Sequence, residues 1–209
     1  MAEQWLDTYG GAPEDMGFVD INVEDTEMCF VQYLPIAMPN SDYQIPESLQ
    51  WVGPLLSSMR VEDLESDYIY LTVKKVFGTG NRNGWHCDGF GTDDINYTWC
   101  DSHPTEFLTG LTTTDMPNSH KDSLHLMETY AILTGAGGIT RYPDKHLIRM
   151  DQRQIHRVNP RPCNHMRTFV KISCSNEKYN MQGNAHNYLF DYDWDMVNRS
   201  IGRNHTVGG

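Results

Sequence analysis

The stretch DYIYLTVKKVF, residues 67–77, decides the fold class of this chain. It is rich in β-branched and aromatic residues, which favour strands. Six shorter stretches of similar character follow it, and clusters of Gly, Pro, Asn and Asp separate them: INYTWC, TEFLT, GITRY, HLIRM, RQIHRV and RTFVKISCS. Many short strands joined by such turns are typical of a β-sandwich or β-barrel. The sequence therefore predicts a mainly β protein.

Upstream of this stretch, the sequence changes character. PESLQWVGPLLSSMRVEDL, residues 46–64, predicts a helix that begins at Pro46 and is interrupted at Pro54. GFVDINVEDTEMCFVQYLP, residues 17–35, predicts extended segments with a polar interruption. Downstream, DSLHLMETYAIL, residues 122–133, is compatible with either a helix or a strand. The β-rich chain therefore carries a few flanking helices.

The length of 209 residues and the lack of a convincing linker favour a single domain. We divide it into an acidic N-terminal segment with a helix (residues 1–67), a β core (residues 68–175) and a C-terminal tail (residues 176–209). The five cysteines have irregular spacings, as expected of a reduced protein rather than a disulfide framework. Neither a signal peptide nor a membrane span is recognisable, so we expect a soluble cytoplasmic protein without a membrane partner.

The net charge of −12 is unevenly distributed. Residues 1–72 hold 14 acidic residues and one base, Arg60, which gives −13; the other 137 residues hold 14 acids and 15 bases, which gives +1. The acidic part is either a solvated segment or one that packs against basic groups of the C-terminal part. Overall acidity disfavours a broad phosphate-binding surface but is compatible with a local anion site.

The stretch GWHCDGFGTDD, residues 84–94, contains a candidate for metal binding. On a strand, His86 and Asp88 point to one face, whereas Trp85 and Cys87 point to the other. About one His-x-Asp/Glu pair is expected by chance in this composition, and His120-Lys121-Asp122 is a second one. A facial triad of two histidines and one carboxylate needs a further histidine from a neighbouring strand, and His156 is our candidate.

Arg167 follows His156 by eleven residues, with the turn-prone stretch NPRPCN between them. We therefore predict a β-hairpin formed by RQIHRV and RTFVKIS, with Arg167 near the metal. Strand alternation puts Phe169 and Lys171 on the face of Arg167, and Thr168, Val170 and Ile172 on the opposite face. His146 with Arg157 has the same spacing, but Arg157 would face outward when His156 faces inward.

These residues together resemble a known family. WHCD (85–88), IHRV (155–158) and RTFVKIS (167–173) are similar to motifs of the iron(II)/2-oxoglutarate-dependent dioxygenases, particularly the phytanoyl-CoA-hydroxylase and taurine-dioxygenase type. The resemblance covers roughly residues 68–175. It implies a double-stranded β-helix, a jelly-roll or cupin-like core, and an enzyme that hydroxylates a C–H bond with succinate and CO2 as co-products.

The resemblance also implies the roles of individual residues. His86, Asp88 and His156 would bind Fe(II), and Arg167 would bind the C5 carboxylate of 2-oxoglutarate, with O2 as the other co-substrate. Lys171 matches a second basic residue of the taurine-dioxygenase type. Thr105 is our candidate for a threonine that contacts 2-oxoglutarate.

Several alternatives remain open at the level of sequence. The substrate expected first is a small molecule or amino acid. A nucleotide or nucleobase comes second, because bases recur every four residues from 141 to 161, and a protein side chain comes third. Two other classes are a non-enzymatic cupin or jelly-roll binding or structural protein, and a cupin enzyme that does not use 2-oxoglutarate.

We expect surface or structural roles for the remaining histidines, His103, His125, His165, His186 and His205, and a solvated edge for Asp191, Asp193 and Asp195.

Overall fold

A computed structural model describes residues 8–23, 28–79, 84–89, 91–113 and 115–199. These residues form a mainly β structure of two antiparallel sheets with few helices, as the sequence predicted. The helices are α1 (Gly53–Ser57), α2 (His120–Thr134) and three short 3-10 helices, Glu47–Val52, Val61–Glu65 and Ala136–Gly138. The strands are β1 (Glu14–Phe18), β2 (Cys29–Ala37), β3 (Tyr68–Phe77), β4 (Ile95–Cys100), β5 (Glu106–Leu108), β6 (Ile139–Arg141), β7 (His146–Met150), β8 (His156–Arg157) and β9 (Met166–Ser175).

The larger sheet has six strands in the order β1-β7-β4-β9-β3-β2. Its centre is β9, which pairs with β3 without interruption and with β4 on its other side. The smaller sheet has the order β6-β5-β8. His86 extends this sheet by an isolated antiparallel bridge to His156, in which each backbone N–H donates to the other residue's carbonyl oxygen at 2.9 Å.

The two faces of the large sheet differ in chemistry because side chains alternate along each strand. One face carries the main apolar core, which includes Ile69, Leu71, Val73, Val170 and Ile172. The opposite face is polar and lines a cavity with side chains from the same strands: Thr72, Lys74, Thr98, Arg167, Phe169 and Lys171. The expected alternation around Arg167 is therefore confirmed.

The interrupted helix predicted over residues 46–64 covers the apolar face of the large sheet. It is broken into two 3-10 helices with α1 between them, and Pro54 lies in the first turn of α1. Leu49, Val52 and Leu55 are buried in the same core as the β3 side chains. The proline ends one helical segment and its fixed φ suits the start of the next.

The acidic N-terminal segment contacts basic groups of β7 and its preceding turn. Asp63 accepts hydrogen bonds from Arg149 Nε and Nη2 at 2.7 and 2.9 Å. Asp15 Oδ1 lies 2.9 Å from His146 Nδ1, and Asp20 Oδ1 lies 2.7 Å from Lys145 Nζ. Of the two interpretations of the charge asymmetry, the structure therefore favours packing against basic groups over a segment that is merely solvated.

The predicted hairpin between RQIHRV and RTFVKIS is wrong. β8 pairs with β5 in the small sheet, whereas β9 pairs with β3 and β4 in the large sheet. The intervening stretch contains Pro160 and Pro162, which have no backbone N–H for strand pairing. β8 ends after Arg157, and the chain then crosses from one sheet to the other.

Residues 122–133, whose sequence is compatible with either a helix or a strand, belong to helix α2. The Ser119 side chain accepts a hydrogen bond from the backbone N–H of Asp122, and Gly135 with a φ of 64° ends the helix. The rival His120-Lys121-Asp122 motif therefore lies in the first turn of α2 rather than on a strand. Across the described ranges, no helix has the length and apolar character needed to cross a bilayer.

Candidate metal centre

His86, Asp88 and His156 meet where the chain segment after β3 borders the small sheet. The two histidines are opposite each other in the bridge, with ring centroids 4.5 Å apart. All three side chains are buried, with 5–9% of each residue exposed. Each offers a ligand atom within 4.8 Å of the others. The sequence interpretation brought together three residues that the fold also brings together.

The protonation pattern of the two histidines suits metal binding. His86 Nδ1 lies 3.0 Å from the carbonyl oxygen of Gly84, and His156 Nδ1 lies 2.9 Å from that of Gln154. A carbonyl only accepts, so each Nδ1 carries a proton, and in the neutral ring each Nε2 then carries the lone pair. Backbone carbonyls that orient ligating histidines in this way are common around metals.

Asp88 lies between the two lone-pair nitrogens. Its Oδ1 is 3.9 Å from His86 Nε2, and its Oδ2 is 3.7 Å from His156 Nε2. Ligand bonds of about 2.1 Å at right angles put neighbouring ligand atoms about 3.0 Å apart. The observed spacings exceed this by less than about 1 Å, so small side-chain rotations suffice for ligation. These three residues could bind a metal ion.

The opposite face of the motif is anchored in an apolar cluster. Trp85 and Cys87 are buried with Leu108, Met127 and Ile155. Burial raises the pKa of the Cys87 thiol, which stays protonated and turned away from the candidate ligands. The expectation that Cys87 points away from His86 and Asp88 therefore agrees with its position.

Two further contacts hold Trp85 in place. Its backbone N–H donates to Glu128 Oε1 of α2 at 2.8 Å, and the Arg157 guanidinium lies 4.4 Å from the centroid of its ring. Arg157 in turn pairs with the buried Glu106. Trp85 thus connects α2 and the small sheet to the segment that carries His86 and Asp88.

A cavity of about 810 Å³ lies in front of the three candidate ligands. Its wall includes all six residues singled out from the sequence as site residues: His86, Asp88, Thr105, His156, Arg167 and Lys171. Among the described residues that line it, five side chains are cationic and Asp88 is the one carboxylate. The cations are Lys74, Arg157, Arg161, Arg167 and Lys171.

Arg167 is 3% exposed and is held by the loop that follows β4. Its Nε donates to the carbonyl oxygens of Ser102 and His103 at 2.9 and 3.2 Å. Its Nη2 donates to His103 O and to Cys100 Sγ, both at 3.0 Å. No acceptor for Nη1 is present in the described part of the chain. The guanidinium is therefore oriented by protein groups while one of its donors remains for a ligand.

Lys171 is buried against the candidate ligand Asp88. Its Nζ donates to Asp88 Oδ2 at 2.7 Å and to the Tyr33 hydroxyl at 3.0 Å. Burial by itself lowers the pKa of a lysine, but the charge of Asp88 and the contact with Tyr33 raise the pKa of Lys171 above its usual value. The lysine is thus a charge partner of the carboxylate.

Thr105 lies in the cavity wall near Arg167. It is 7% exposed and hydrogen-bonds to Cys100, the same residue whose Sγ accepts from Arg167. Burial raises the pKa of the Cys100 thiol although Arg167 opposes this. Cys100 is therefore a neutral group that connects the two candidate cofactor-binding residues.

Sequence reasoning missed Tyr33. The pairing of β2 with β3 is irregular between Val31 and Leu34, and Tyr33 has a φ of 48°. This bulge turns Tyr33 toward the cavity, where its ring lies 4.7 Å from Lys171 Nζ. No local sequence signal, such as a glycine, marks the bulge.

Two of the remaining histidines are close to a cysteine. His103 and His165 lie together with Cys163, with ligand atoms within 4.8 Å of one another. His125 is exposed on α2, and His186 stacks against Tyr192. His205 lies outside the described residues. The predicted solvated edge is exposed to solvent at all three of its acidic residues, Asp191, Asp193 and Asp195.

Comparisons of the chain with protein-family models, with curated proteins and with solved structures gave no match.

Proposed function

We propose that this protein is an Fe(II)- and 2-oxoglutarate-dependent oxygenase that hydroxylates a C–H bond of a small anionic molecule. The observation that carries the proposal is the composition of one cavity wall. It contains a buried His/Asp/His group whose two histidines present Nε2 lone pairs, and also a buried, pre-oriented arginine. A metal and a dicarboxylic acid can both be bound there.

The winding of the chain supports a double-stranded β-helix as the fold. From β3 onward the chain passes between the large and the small sheet at nearly every step: β3, then His86, β4, then β5 and β6, β7, β8 and β9. Four core strands, β3-β9-β4-β7, lie side by side in the large sheet. The small sheet has three, β8-β5-β6, and the one-residue bridge of His86 extends it at the β8 edge. A jelly roll has eight strands in two sheets, and this arrangement approaches that number.

In this proposal, His86, Asp88 and His156 hold the iron. Two histidines and a carboxylate with open positions are the ligand set of non-haem Fe(II) oxygenases. Iron bound there with 2-oxoglutarate supplies O2 activation and C–H oxidation, with succinate and CO2 as co-products. The residues supply ligand geometry, and their burial excludes water from the reacting groups.

Arg167 and Lys171 act as charge partners in the same wall. Nη1 of Arg167 can donate a charge-assisted hydrogen bond to the distal carboxylate of 2-oxoglutarate. The ammonium of Lys171 donates to Asp88 Oδ2 and fixes the position of this carboxylate. Thr105 adds a hydroxyl on the Arg167 side of the cavity.

The charge of the cavity supports an anionic substrate. Asp88 pairs with Lys171, and the buried Glu106 pairs with Arg157. Arg167 is reserved for 2-oxoglutarate, and Arg161 is a further cation in the same wall that can pair with a second anion. A carboxylate- or phosphate-bearing small molecule fits this arrangement.

The nucleic-acid alternative is less well supported. The bases that recur every four residues between 141 and 161 do not lie on a helix, and most are already paired with carboxylates. Arg141 and Arg157 contact Glu106, Lys145 contacts Asp20, and Arg149 contacts Asp63. Pairing leaves less of their charge for phosphates.

An anaerobic titration tests the proposal. Purified protein is mixed with Fe(II) and then with 2-oxoglutarate, and the visible charge-transfer band of a 2-oxo acid chelated to Fe(II) is recorded. We expect the band in the wild type and in Asp122→Ala, which alters the rival His-x-Asp motif, but not in Asp88→Ala. If no band forms in the wild type, the protein is a cupin-like binding or structural protein or a metal enzyme that does not use 2-oxoglutarate.

A matched set of compounds tests the substrate class. Small carboxylic acids and their neutral primary amides are compared for stimulation of succinate formation from 2-oxoglutarate. We expect stimulation by acids and not by amides, and weaker stimulation in Arg161→Gln. Equal stimulation by an acid and its amide would contradict an anionic substrate.

A further inference from the structure

A second cluster of metal-ligating side chains lies outside the His86 site. His103 belongs to the loop between β4 and β5, whereas Cys163 and His165 belong to the crossover between β8 and β9. Their ligand atoms lie within 4.8 Å of one another. None of these residues takes part in the proposed oxygenase chemistry.

The spacing within the cluster fits a tetrahedral ion. Cys163 Sγ lies 3.7 Å from His165 Nε2. Zinc bonds of about 2.3 Å to sulfur and about 2.05 Å to nitrogen, at a tetrahedral angle, separate the two ligand atoms by about 3.5 Å. The two side chains are thus already at the spacing that a shared ion requires.

The third member of the cluster has a buried nitrogen without a partner. His103 Nδ1 is buried, and no hydrogen-bond partner for it exists among the described residues. His103 Nε2 lies 3.2 Å from the carbonyl oxygen of Pro162. In the neutral ring with its proton on Nε2, the lone pair is on Nδ1, which is the form that binds metals.

The backbone of the cluster is fixed by its surroundings. His103 has a φ of 48°, and its carbonyl oxygen accepts from two nitrogens of Arg167. The His165 carbonyl oxygen accepts from the backbone N–H of Gly78, at the end of β3. Both loops are therefore held against strands of the large sheet, and the ligands do not depend on a free terminus.

From these observations we propose that His103, Cys163 and His165 form a second metal site that binds Zn²⁺. One thiolate and two imidazoles are ligands that suit zinc, and three protein ligands leave a fourth position for water or an added ligand. The site is chemically distinct from the His86 site because it contains sulfur. It borders the same cavity, since Cys163 lies in the cavity wall.

Metal binding at this site would also affect a residue of the cavity wall. An ion bound by His103 would hold the loop whose carbonyl oxygens orient Arg167. Zinc at this site would therefore stabilise the arrangement of the arginine that faces the cavity. The metal site itself does not depend on the proposed oxygenase activity.

Cobalt(II) serves as the spectroscopic probe of this site. The metal-free full-length protein is titrated with Co²⁺ under reducing, anaerobic conditions, and the near-ultraviolet thiolate-to-cobalt charge-transfer band is recorded. The His86 site contains no sulfur ligand, so this band reports on the second site alone. We expect the band to saturate within two equivalents of Co²⁺ in the wild type, where the His86 site also takes the ion, and within one equivalent in Asp88→Ala, and to disappear when Zn²⁺ is added.

Variants assign the band to the cluster. We expect it to be lost in Cys163→Ser and to be strongly reduced in His165→Ala, whose exposed side chain can be removed with little effect on folding. Cys29→Ser, which alters another partly exposed cysteine, and Asp88→Ala, which alters the His86 site, should both retain it.

The outcomes separate this proposal from the oxygenase proposal. A thiolate band that persists in Cys163→Ser, or the absence of any such band in the wild type, would overturn the second site. No 2-oxoglutarate binding in the wild type together with an intact thiolate band would overturn the oxygenase proposal and leave the second site supported on its own.

Discussion

Arg167 has two tasks at the level of single residues. Three of its contacts hold the loop carbonyls of Ser102 and His103, and the guanidinium also faces the cavity. A lysine in its place would keep the charge but lose the planar fork that allows simultaneous bonds to the loop and to a carboxylate. The residue is therefore sensitive to a substitution that is conservative in charge.

Replacement of Arg167 by lysine tests this role. A lost charge-assisted hydrogen bond costs about 1.5–3 kcal/mol, which corresponds to roughly a 10- to 150-fold weaker interaction. We expect the KM for 2-oxoglutarate to rise by roughly this factor, measured by succinate formation. Arg157→Lys is the control, because Arg157 lines the same cavity but pairs with Glu106; an equal rise in both variants would argue against a specific carboxylate contact.

The candidate ligands were predictable from sequence because strand alternation is a local rule. His86 and Asp88 share a face two residues apart, and the partner of such a pair had to be a histidine on a neighbouring strand. Tyr33 was not predictable, since it reaches Lys171 through a bulge in β2. The cluster of Cys163 with His103 and His165 was not predictable either. His103 lies in the loop between β4 and β5, whereas His165 lies in the same crossover as Cys163.

At the level of elements, the 3-10 helix Val61–Glu65 is joined to the large sheet through Asp63. This carboxylate accepts from Arg149 on β7 and from the Tyr97 hydroxyl on β4. Burial alone would raise the pKa of Asp63, but its hydrogen bonds with Arg149 and Tyr97 outweigh burial and lower the pKa below the usual 3.8. The contact therefore stabilises the fold when the carboxylate is ionised.

Asp63→Asn should destabilise the protein in a pH-dependent way. At neutral pH we expect a loss of about 2 kcal/mol in the free energy of unfolding, because charge-assisted hydrogen bonds are removed. Since the folded pKa is depressed, this contribution is fully present above the ordinary pKa and is lost as pH falls through the lower, folded one. Denaturant unfolding of both proteins between about pH 7 and pH 2 measures the difference; a difference that does not shrink below about pH 4 would contradict the ion pair's role.

The strands were predicted more accurately than their connections. The composition of β3 and β9 identifies them as strands, because β-branched and aromatic residues favour a pleated, half-buried surface. The predicted hairpin from β8 to β9 was wrong because proximity in sequence suggests pairing, whereas Pro160 and Pro162 direct the chain to the other sheet. Which strands pair is decided by long-range packing that no single stretch encodes.

At the level of the whole molecule, the uneven charge of the sequence has a structural counterpart. Acidic residues of the N-terminal segment pair with bases on and before β7, and the charged residues that line the cavity on the other side of the large sheet are mainly cations. The net charge of −12 therefore conceals a basic interior site. The net charge summed over the whole sequence does not reveal this, because the residues that line the cavity come from strands that are far apart in the sequence.

Ligand binding should stabilise the whole fold. Mn²⁺, which does not support turnover, is expected to raise the Tm of the wild type, and 2-oxoglutarate to raise it further only when the metal is present. A ligand at 100 times its Kd adds about 2.7 kcal/mol, which corresponds to a rise of roughly 5–10 °C for a chain of this size. Thermal unfolding of Asp88→Ala should show neither shift; equal stabilisation of this variant would indicate binding elsewhere.

The most direct test of the proposed oxygenase is the formation of succinate from 2-oxoglutarate. Wild-type protein, Asp88→Ala and Asp122→Ala are incubated with Fe(II), 2-oxoglutarate and O2, and succinate is measured with and without an iron chelator. We predict succinate with the wild type and with Asp122→Ala, and none with Asp88→Ala or after chelation. Undiminished succinate formation by Asp88→Ala, or its absence in the wild type under all of these conditions, would contradict the assignment of His86, Asp88 and His156 as the iron site of an oxygenase.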